Sequence, residues 1–225
     1  MPEDKTANAR LVAKQDCVVS GIEVARAVFR KVDSSIDFKI NYKNGDTVKN
    51  GEVIAEINGS ARAILKGERV ALNFFARMCG IATMTRAIVG ELEGTKAQLL
   101  DTRKTTPGLR IFEKSATVTG GARIHRLCLS DVVIVKENHI RASGGITNAV
   151  SRLLESLPPT LKVEVEATNL EEVQEAIEAG ADLVMLDKCL HLKWLWQLKL
   201  FAGEFFLRHL GMLLLRMLSL LLRLA

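Results

Sequence analysis

A β-α-β unit is predicted by the residues Leu161-Lys-Val-Glu-Val-Glu-Ala-Thr-Asn-Leu-Glu-Glu-Val-Gln-Glu-Ala-Ile-Glu-Ala-Gly-Ala-Asp-Leu-Val-Met-Leu-Asp187. The short, mostly apolar segments 161–165 and 182–186 are typical of strands. Between them, Leu170, Val173 and Ile177 recur at helical spacing, and Ala179-Gly180 ends the pattern, which predicts a helix over 169–179. Two short apolar strands joined by a helix indicate a parallel sheet that is buried on both faces.

Two further apolar runs, at 98–100 and 132–135, extend this pattern toward the amino terminus. A charged residue follows each of the four predicted strands, namely Asp101, Lys136, Glu166 and Asp187. Because the carboxyl ends of parallel strands open on one rim, where the chemistry of α/β barrels is found, we expect these charges at a site. Short right-handed crossovers are compatible with two folds, an α/β barrel and a doubly wound sheet.

Length and composition restrict the class of protein. The 225 residues suffice for one large domain or two small ones. The net charge is +5, and residues 189–225 hold five basic residues against one acidic residue, so the rest of the chain is nearly neutral. That distribution argues against nucleic acid as a partner. The four cysteines show neither paired nor metal-ligand spacing, and the first residues lack a signal-peptide pattern, so we expect a cytoplasmic protein.

The amino-terminal third predicts a small antiparallel β unit around one helix. Strands are expected within 9–20, 36–42 and 52–57, a helix over 21–32, and turns at Asn44-Gly45-Asp46, Asn50-Gly51 and Asn58-Gly59. From Gly67 to Gly90 the pattern is helical, with Glu68 near the helix start and Gly80 separating two helices.

Residues 44–57 also resemble the turn pattern of biotinyl and lipoyl carrier domains. A carrier needs a lysine exposed in a tight hairpin, as in Met-Lys-Met, and this segment has none. We therefore interpret the pattern as β-turn geometry shared by analogy.

A dense set of anion donors follows the predicted strand at 98–100. Arg103, Lys104 and Arg110 lie among threonines and a Pro-Gly break, which suits phosphates or carboxylates; the alternative is a solvated turn. His125, Arg126 and Lys136 would add further cationic or proton-donating groups to the rim. Glu166 and Asp187 would suit Mg²⁺ together with substrate phosphates, or would stabilise a developing cation.

These motifs together resemble the quinolinate phosphoribosyltransferase family. The most specific match is Asp101-Thr-Arg-Lys-Thr-Thr-Pro-Gly108. Other matches are Glu68-Arg69-Val-Ala-Leu-Asn-Phe74, Gly80-Ile-Ala-Thr83, His125-Arg126-Leu127, Val135-Lys136-Glu-Asn-His-Ile140, Val163-Glu-Val-Glu166 and Gly180-Ala-Asp-Leu-Val-Met-Leu-Asp187. They cover residues 9–188 in family order.

The resemblance implies both a fold and a reaction. The fold is α/β: an N-terminal α/β sandwich with linking helices over 1–95, followed by an incomplete α/β barrel over 96–188. Subunits would form a homodimer or a higher oligomer in which one N-terminal domain covers the barrel mouth of its partner. Quinolinate and phosphoribosyl pyrophosphate would give nicotinate mononucleotide, pyrophosphate and CO₂ in NAD biosynthesis, with Mg²⁺ as cofactor.

The resemblance also implies roles for individual residues. The quinolinate carboxylates would be bound by Arg103, His125, Arg126 and Lys136, and by Arg69 of the partner subunit, although local sequence alone favours an exposed helix-start charge at position 69. Thr102 would also bind substrate. Lys104 would contact the donor phosphate or an acceptor carboxylate. Lys136, Glu166 and Asp187 would be catalytic, with Glu166 and Asp187 facing the ribose and Mg²⁺. His139 would serve the site or cap a helix.

The chain departs from the family pattern in three places. Ala122 and Ile124 stand where many members carry glycine and asparagine, and the leading Gly-Asp-x-Thr segment is missing. Residues 189–225 form a Leu-rich basic tail, with 15 Leu in 37 residues and no Ser-Gly-Gly phosphate turn.

The abrupt change in composition at residues 188–190 favours out-of-frame or alternatively spliced sequence that replaces the last strands of the barrel, and surface attachment through a basic amphipathic helix is the other interpretation of the tail. The alternative for function is an inactive isoform or fragment of the enzyme that lacks the phosphate-binding turns and acts at most as an interaction or membrane-surface protein. The longest uncharged stretch of the tail, 209–215, is far below the roughly 20 residues that a membrane span needs.

Overall fold

The amino-terminal strands pair in the antiparallel sense, as the sequence predicts. The computed structural model describes residues 5–187 and 207–209. Its first sheet has the order β1 (Thr6–Val12), β5 (Val53–Ser60), β3 (Asp37–Ile40), and a second sheet pairs β2 (Cys17–Val18) with β4 (Thr47–Val48). Helix α1 (Ile22–Val32) buries Ile22, Ala25 and Phe29 in the same core as β3 and β5.

The turn predicted at Asn58-Gly59 is wrong, because β5 continues to Ser60. Asn58 pairs with Asn8 on one side and Asp37 on the other, and Gly59 pairs with Ala7. A Cβ on Gly59 would lie 3.1 Å from Cγ1 of Ile36. This glycine therefore permits close packing of the chain rather than a reversal of its direction.

One long helix replaces the two helices predicted around Gly80. Helix α2 runs without a break from Ala61 to Glu91, so it begins before Gly67 and leaves Glu68 beyond its first turn. A mid-helix glycine costs only about 1 kcal/mol. Burial of Met78, Cys79 and Ala82 on either side of Gly80 offsets that cost.

The strand predicted at 98–100 is wrong as well, since only one parallel bridge forms, between Leu100 and Arg123. Two backbone hydrogen bonds accompany it, from Asp101 N to Arg123 O and from Arg123 N to Leu99 O. The partner segment is short because helix α3 (Arg110–Thr119) ends just before it, at Gly120. Helix α3 packs on α2, where the rings of Phe112 and Phe74 lie 4.9 Å apart.

A parallel sheet follows, which confirms the prediction from residues 161–187. Its strands lie in the order β6 (Val132–Val135), β7 (Lys162–Ala167), β8 (Leu183–Leu186), β9 (Leu207–His209). Helices α4 (Glu137–Ser143) and α5 (Ile146–Ser156) connect β6 to β7, and α6 (Leu170–Glu178) connects β7 to β8. The sheet remains open among the described residues, as an incomplete barrel requires.

The described residues fall into two compact units, one ending at His125 and the other beginning at Arg126. Each has its own apolar core; that of the second unit includes Ile146, Val163, Val165 and Val184. None of the helices within 5–187 is long and apolar enough to cross a membrane. Most of the predicted Leu-rich tail, residues 189–206 and 210–225, lies outside the described residues.

Candidate active site

Asp101 connects two segments near the end of the first unit. Its Oδ2 lies 2.5 Å from Nζ of Lys114 on α3, and its Oδ1 accepts a hydrogen bond of 2.8 Å from the backbone N–H of His125. The two side chains are only 4% and 3% exposed. One carboxylate thus joins helix α3 to the segment that carries His125.

The loop after Asp101 is fastened at its far end by a second set of contacts. Oε1 of Glu113 accepts a hydrogen bond of 2.8 Å from Nε of Arg77 on α2, and its Oε2 accepts one of 3.1 Å from the backbone N–H of Thr106. The Oγ1 of Thr105 accepts a 3.2 Å bond from Nε of Arg110. Residues 102–104 are therefore held between two fixed points.

Arg103 is half-buried in this loop, and its Nε is buried with no hydrogen-bond partner among the described residues. A buried N–H without an acceptor is costly, so the guanidinium is suited to a ligand that supplies a carboxylate or phosphate oxygen. Thr102 and Lys104 are exposed beside it, and Oγ1 of Thr102 accepts the N–H of Lys104 at 3.2 Å. Arg69, for which the family resemblance implies a role in a partner's site, is exposed on α2.

In the second unit, Lys136 and Glu166 come together at the carboxyl ends of β6 and β7. Val135 pairs with Val165, so the next residues are neighbours, and Nζ of Lys136 forms an ion pair with Oε1 of Glu166. Asp187 directly follows β8, and its backbone N–H donates to Ala167 O at 3.0 Å. Arg126 lies at the start of this unit, where its Nη1 donates to Val132 O at 2.7 Å.

Both halves of the chain match the same family of known proteins. Residues 1–79 match the N-terminal domain of quinolinate phosphoribosyl transferase, and residues 81–204 match its C-terminal domain. The chain belongs to the quinolinate phosphoribosyltransferase family. The resemblance inferred from the sequence motifs is thereby confirmed.

Individual relatives agree with this family. A probable nicotinate-nucleotide pyrophosphorylase [carboxylating] of Synechocystis is 48% identical over 179 residues, which cover 80% of this chain and 61% of the relative. A chloroplastic nicotinate-nucleotide pyrophosphorylase [carboxylating] of rice, Oryza sativa, is 43% identical over 81% of this chain and 49% of its own length. The chain thus spans less than two thirds of these curated relatives.

The fold agrees as well. The crystal structure of NadC from Streptococcus pyogenes superposes with a TM-score of 0.90 at 38% identity, covering 97% of this chain and 78% of that one. This likeness confirms the predicted class, an α/β protein with an amino-terminal sandwich and an incomplete barrel.

The candidate site offers few ligands for a metal ion on its own. Within residues 5–187 and 207–209, no group of three or more His, Cys, Asp or Glu side chains is arranged to hold one. Glu166 already pairs with an ammonium group. The two carboxylates at the ends of β7 and β8 fit only an ion whose remaining ligands come from phosphates and water.

His139 caps a helix in this family member. Its Nδ1 accepts a 3.0 Å hydrogen bond from the backbone N–H of Lys136, the residue before α4. The sequence left two roles open for His139, in the site or as a helix cap, and this contact is that of a helix cap. Since Nδ1 accepts here, a neutral imidazole carries its proton on Nε2.

Sequence reasoning missed Lys114, Glu113 and Arg77. On helix α3 the usual burial of apolar and charged residues is reversed. Glu113 and Lys114 are buried, whereas Ile111 is 78% exposed. The apolar pattern alone places the wrong face toward the protein. For Glu113 and Lys114 the available signal is their spacing with Arg110, which puts three charges on one helical face of α3.

Proposed function

We propose that the chain transfers a phosphoribosyl group from phosphoribosyl pyrophosphate to quinolinate, with loss of CO₂. The products are nicotinate mononucleotide and pyrophosphate, and the reaction belongs to NAD biosynthesis. The names of the relatives support this proposal, since they describe nicotinate-nucleotide pyrophosphorylases and decarboxylating quinolinate phosphoribosyltransferases. The observation that carries it is the guanidinium of Arg103, presented on a loop fixed at both ends with a buried Nε that lacks a partner.

The two adjacent carboxylates of quinolinate need several cations to bind them. Arg103, His125, Arg126 and Lys136 supply these, and the planar guanidinium forks fix the plane of the acceptor. Thr102 assists in substrate binding, and Lys104 contacts a donor phosphate or an acceptor carboxylate. Arg69 reaches into the site of a second subunit, so the active form is a homodimer or a higher oligomer.

In the reaction, the ring nitrogen of quinolinate bonds to C1 of the ribose while the bond from C1 to the pyrophosphate oxygen breaks. Positive charge develops on the ribose, and the carboxylates of Glu166 and Asp187 stabilise it. The carboxylate beside the ring nitrogen then leaves as CO₂, and a proton takes its place on the ring carbon. Lys136 helps to hold that carboxylate, which matters more here than a strong base. Glu166 and Asp187 would hold Mg²⁺ together with the donor phosphates, and the ion would supply positive charge to neutralise those phosphates.

The proposal is tested with the full chain by titration calorimetry with quinolinate and by release of labelled CO₂ in the presence of phosphoribosyl pyrophosphate and Mg²⁺. The variant Arg103→Met is expected to weaken quinolinate binding by roughly 10- to 100-fold, since it removes hydrogen bonds to a charged ligand. Arg30→Met, which removes an exposed arginine from α1, is the matched control and leaves binding unchanged.

Two results would contradict the proposal. One is wild-type protein that neither binds quinolinate nor releases CO₂, and the other is an Arg103→Met variant that binds as the wild type does. Binding without CO₂ release would instead assign this chain to the alternative, an inactive form of the enzyme that keeps the acceptor site.

A further inference from the structure

Lys114 is a charged residue placed where lysine is rarely found. Its side chain is 3% exposed, and its ammonium group lies 2.5 Å from Oδ2 of Asp101. It sits on α3, outside the loop that carries Arg103 and Lys104. Fully buried lysines are retained only where a partner compensates their desolvation, which raises the question of what this one does.

Asp101, the partner of Lys114, contacts two segments of the chain: its own and the one that carries Arg123 and His125. Backbone hydrogen bonds of Asp101 and Arg123 join these segments at a single β-bridge, between Leu100 and Arg123. One bridge is a weak constraint on register. The carboxylate of Asp101 adds a hydrogen bond to the N–H of His125, two residues past Arg123, where the backbone hydrogen bonds between the segments end.

This arrangement lets Lys114 act on the geometry of the two segments. The ammonium group fixes Oδ2 of Asp101, which leaves Oδ1 aimed at the His125 N–H. Residues 102–104 leave from one side of this junction, and His125 lies on the other. The far end of the loop is fastened separately by Glu113, so Lys114 governs only the near end.

Stability alone does not explain the buried pair. Two charges removed from water recover their desolvation cost only through good geometry, and apolar replacements of both partners are often neutral or stabilising. A buried ion pair does impose one arrangement on the groups around it, because an alternative arrangement leaves a charge without a partner.

We propose that Lys114 is a positioning residue for recognition of a ligand with two adjacent carboxylates. Through Asp101 it sets the separation between the segment that carries Arg103 and the segment that carries His125. A ligand with one carboxylate does not sense that separation, whereas a ligand with two does. The inference rests on the proposed function, because it takes Arg103 and His125 as the carboxylate-binding groups.

The ratio of quinolinate to nicotinate affinity measures this role, since nicotinate has a single carboxylate. Lys114→Met keeps the length of the side chain and removes its charge. We expect it to weaken quinolinate binding about tenfold, the equivalent of one lost charged hydrogen bond, and to change nicotinate binding less than about twofold. The matched control is Lys39→Met, which removes an exposed ammonium 3.4 Å from Glu56 on the sheet of the same unit and leaves both affinities unchanged.

A double variant separates positioning from folding. Lys114→Met leaves Asp101 buried without its ion pair and lowers the unfolding temperature. Adding Asp101→Leu removes that unpaired charge, so stability recovers. The bond to His125 stays lost, and we therefore expect the affinity ratio to remain low although the protein is again stable.

Hydrogen exchange of the His125 amide gives a readout that needs no ligand, and the exchange is expected to accelerate in both variants. Unchanged exchange, or an affinity ratio that recovers together with stability in the double variant, would overturn the inference. If the wild type binds neither quinolinate nor nicotinate, the proposed function fails and the recognition role fails with it. If the wild type binds quinolinate and Lys114→Met binds it equally well, only the inference about Lys114 fails.

Discussion

At the scale of single residues, Gly120 determines how closely α3 approaches α2. A Cβ at this position would lie 2.4 Å from Cβ of Thr85 and 2.6 Å from the carbonyl oxygen of Ala82. The Gly120 carbonyl accepts a 3.1 Å hydrogen bond from Nε of Arg86, also on α2. Glycine is therefore required here for space, since its backbone angles are those of an ordinary helix end.

We expect Gly120→Ala to lower the free energy of unfolding by about 1–3 kcal/mol, because the methyl group meets backbone that cannot move aside. The control is Gly80→Ala within α2, where a Cβ meets nothing within 4 Å. That substitution should raise stability by about 0.5–1 kcal/mol, the difference in helix propensity. Urea denaturation measures both changes, and equal effects of the two variants would contradict the packing argument.

Among the helices and strands, α3 differs from an ordinary surface helix because its charged side chains bind other segments of the chain. Its charged face points inward, with Glu113 toward Arg77 and Lys114 toward Asp101. Burial would raise the pKa of Glu113, but hydrogen bonds from Arg77 and Thr106 outweigh burial and hold the pKa of this carboxyl below its ordinary value.

This lowered pKa predicts an acid-dependent contribution to stability. A carboxyl whose pKa is lower in the folded state stabilises the protein fully above its unfolded pKa of about 4.3, and this contribution disappears as the pH falls through the folded value. The free energy of unfolding of the wild type should therefore decrease more steeply between pH 6 and pH 3.5 than that of Glu113→Gln. Parallel pH profiles, measured by chemical denaturation, would show that Glu113 is not held in its charged form.

Elements were predictable where local pattern and tertiary packing agree. The strands at 132–135 and 183–186 and the helix capped by Asn169 appear as expected, because their apolar side chains are buried or half-buried in one core. Around Gly80, burial overrides the local preference for a break, and at residues 98–100 the partner segment is too short to form a strand. The cationic candidate residues come from the motifs and stay predictions, whereas the burial of Lys114 depends on its tertiary contact with Asp101, which no motif indicates.

At the scale of the whole molecule, the chain contains two separate apolar cores. Ile54 is buried in the amino-terminal core and Ile146 in the core of the parallel sheet, and each is 1% exposed. The two cores share no residue, so a cavity in one removes contacts from that unit alone.

Ile54→Ala and Ile146→Ala form a matched pair that tests this independence. Each should destabilise its own unit by about 2–5 kcal/mol, the range for a buried isoleucine replaced by alanine. Amide hydrogen exchange should accelerate in β1, β3 and β5 for the first variant, and in β6, β7 and β8 for the second. Faster exchange throughout both units in either variant would indicate a single cooperative unit instead.

The unbroken course of α2 has a consequence for insertions and deletions. The helix holds 31 residues, about 46 Å at 1.5 Å per residue, and it presents Arg77 to Glu113 and Arg86 to the Gly120 carbonyl. One added or removed residue between these arginines turns one contact by about 100° relative to the other. A loop of the same length can adjust its backbone to an insertion or deletion, but a continuous helix that is held by two contacts cannot. The number of residues between Arg77 and Arg86 is thus constrained by the two contacts that the helix makes.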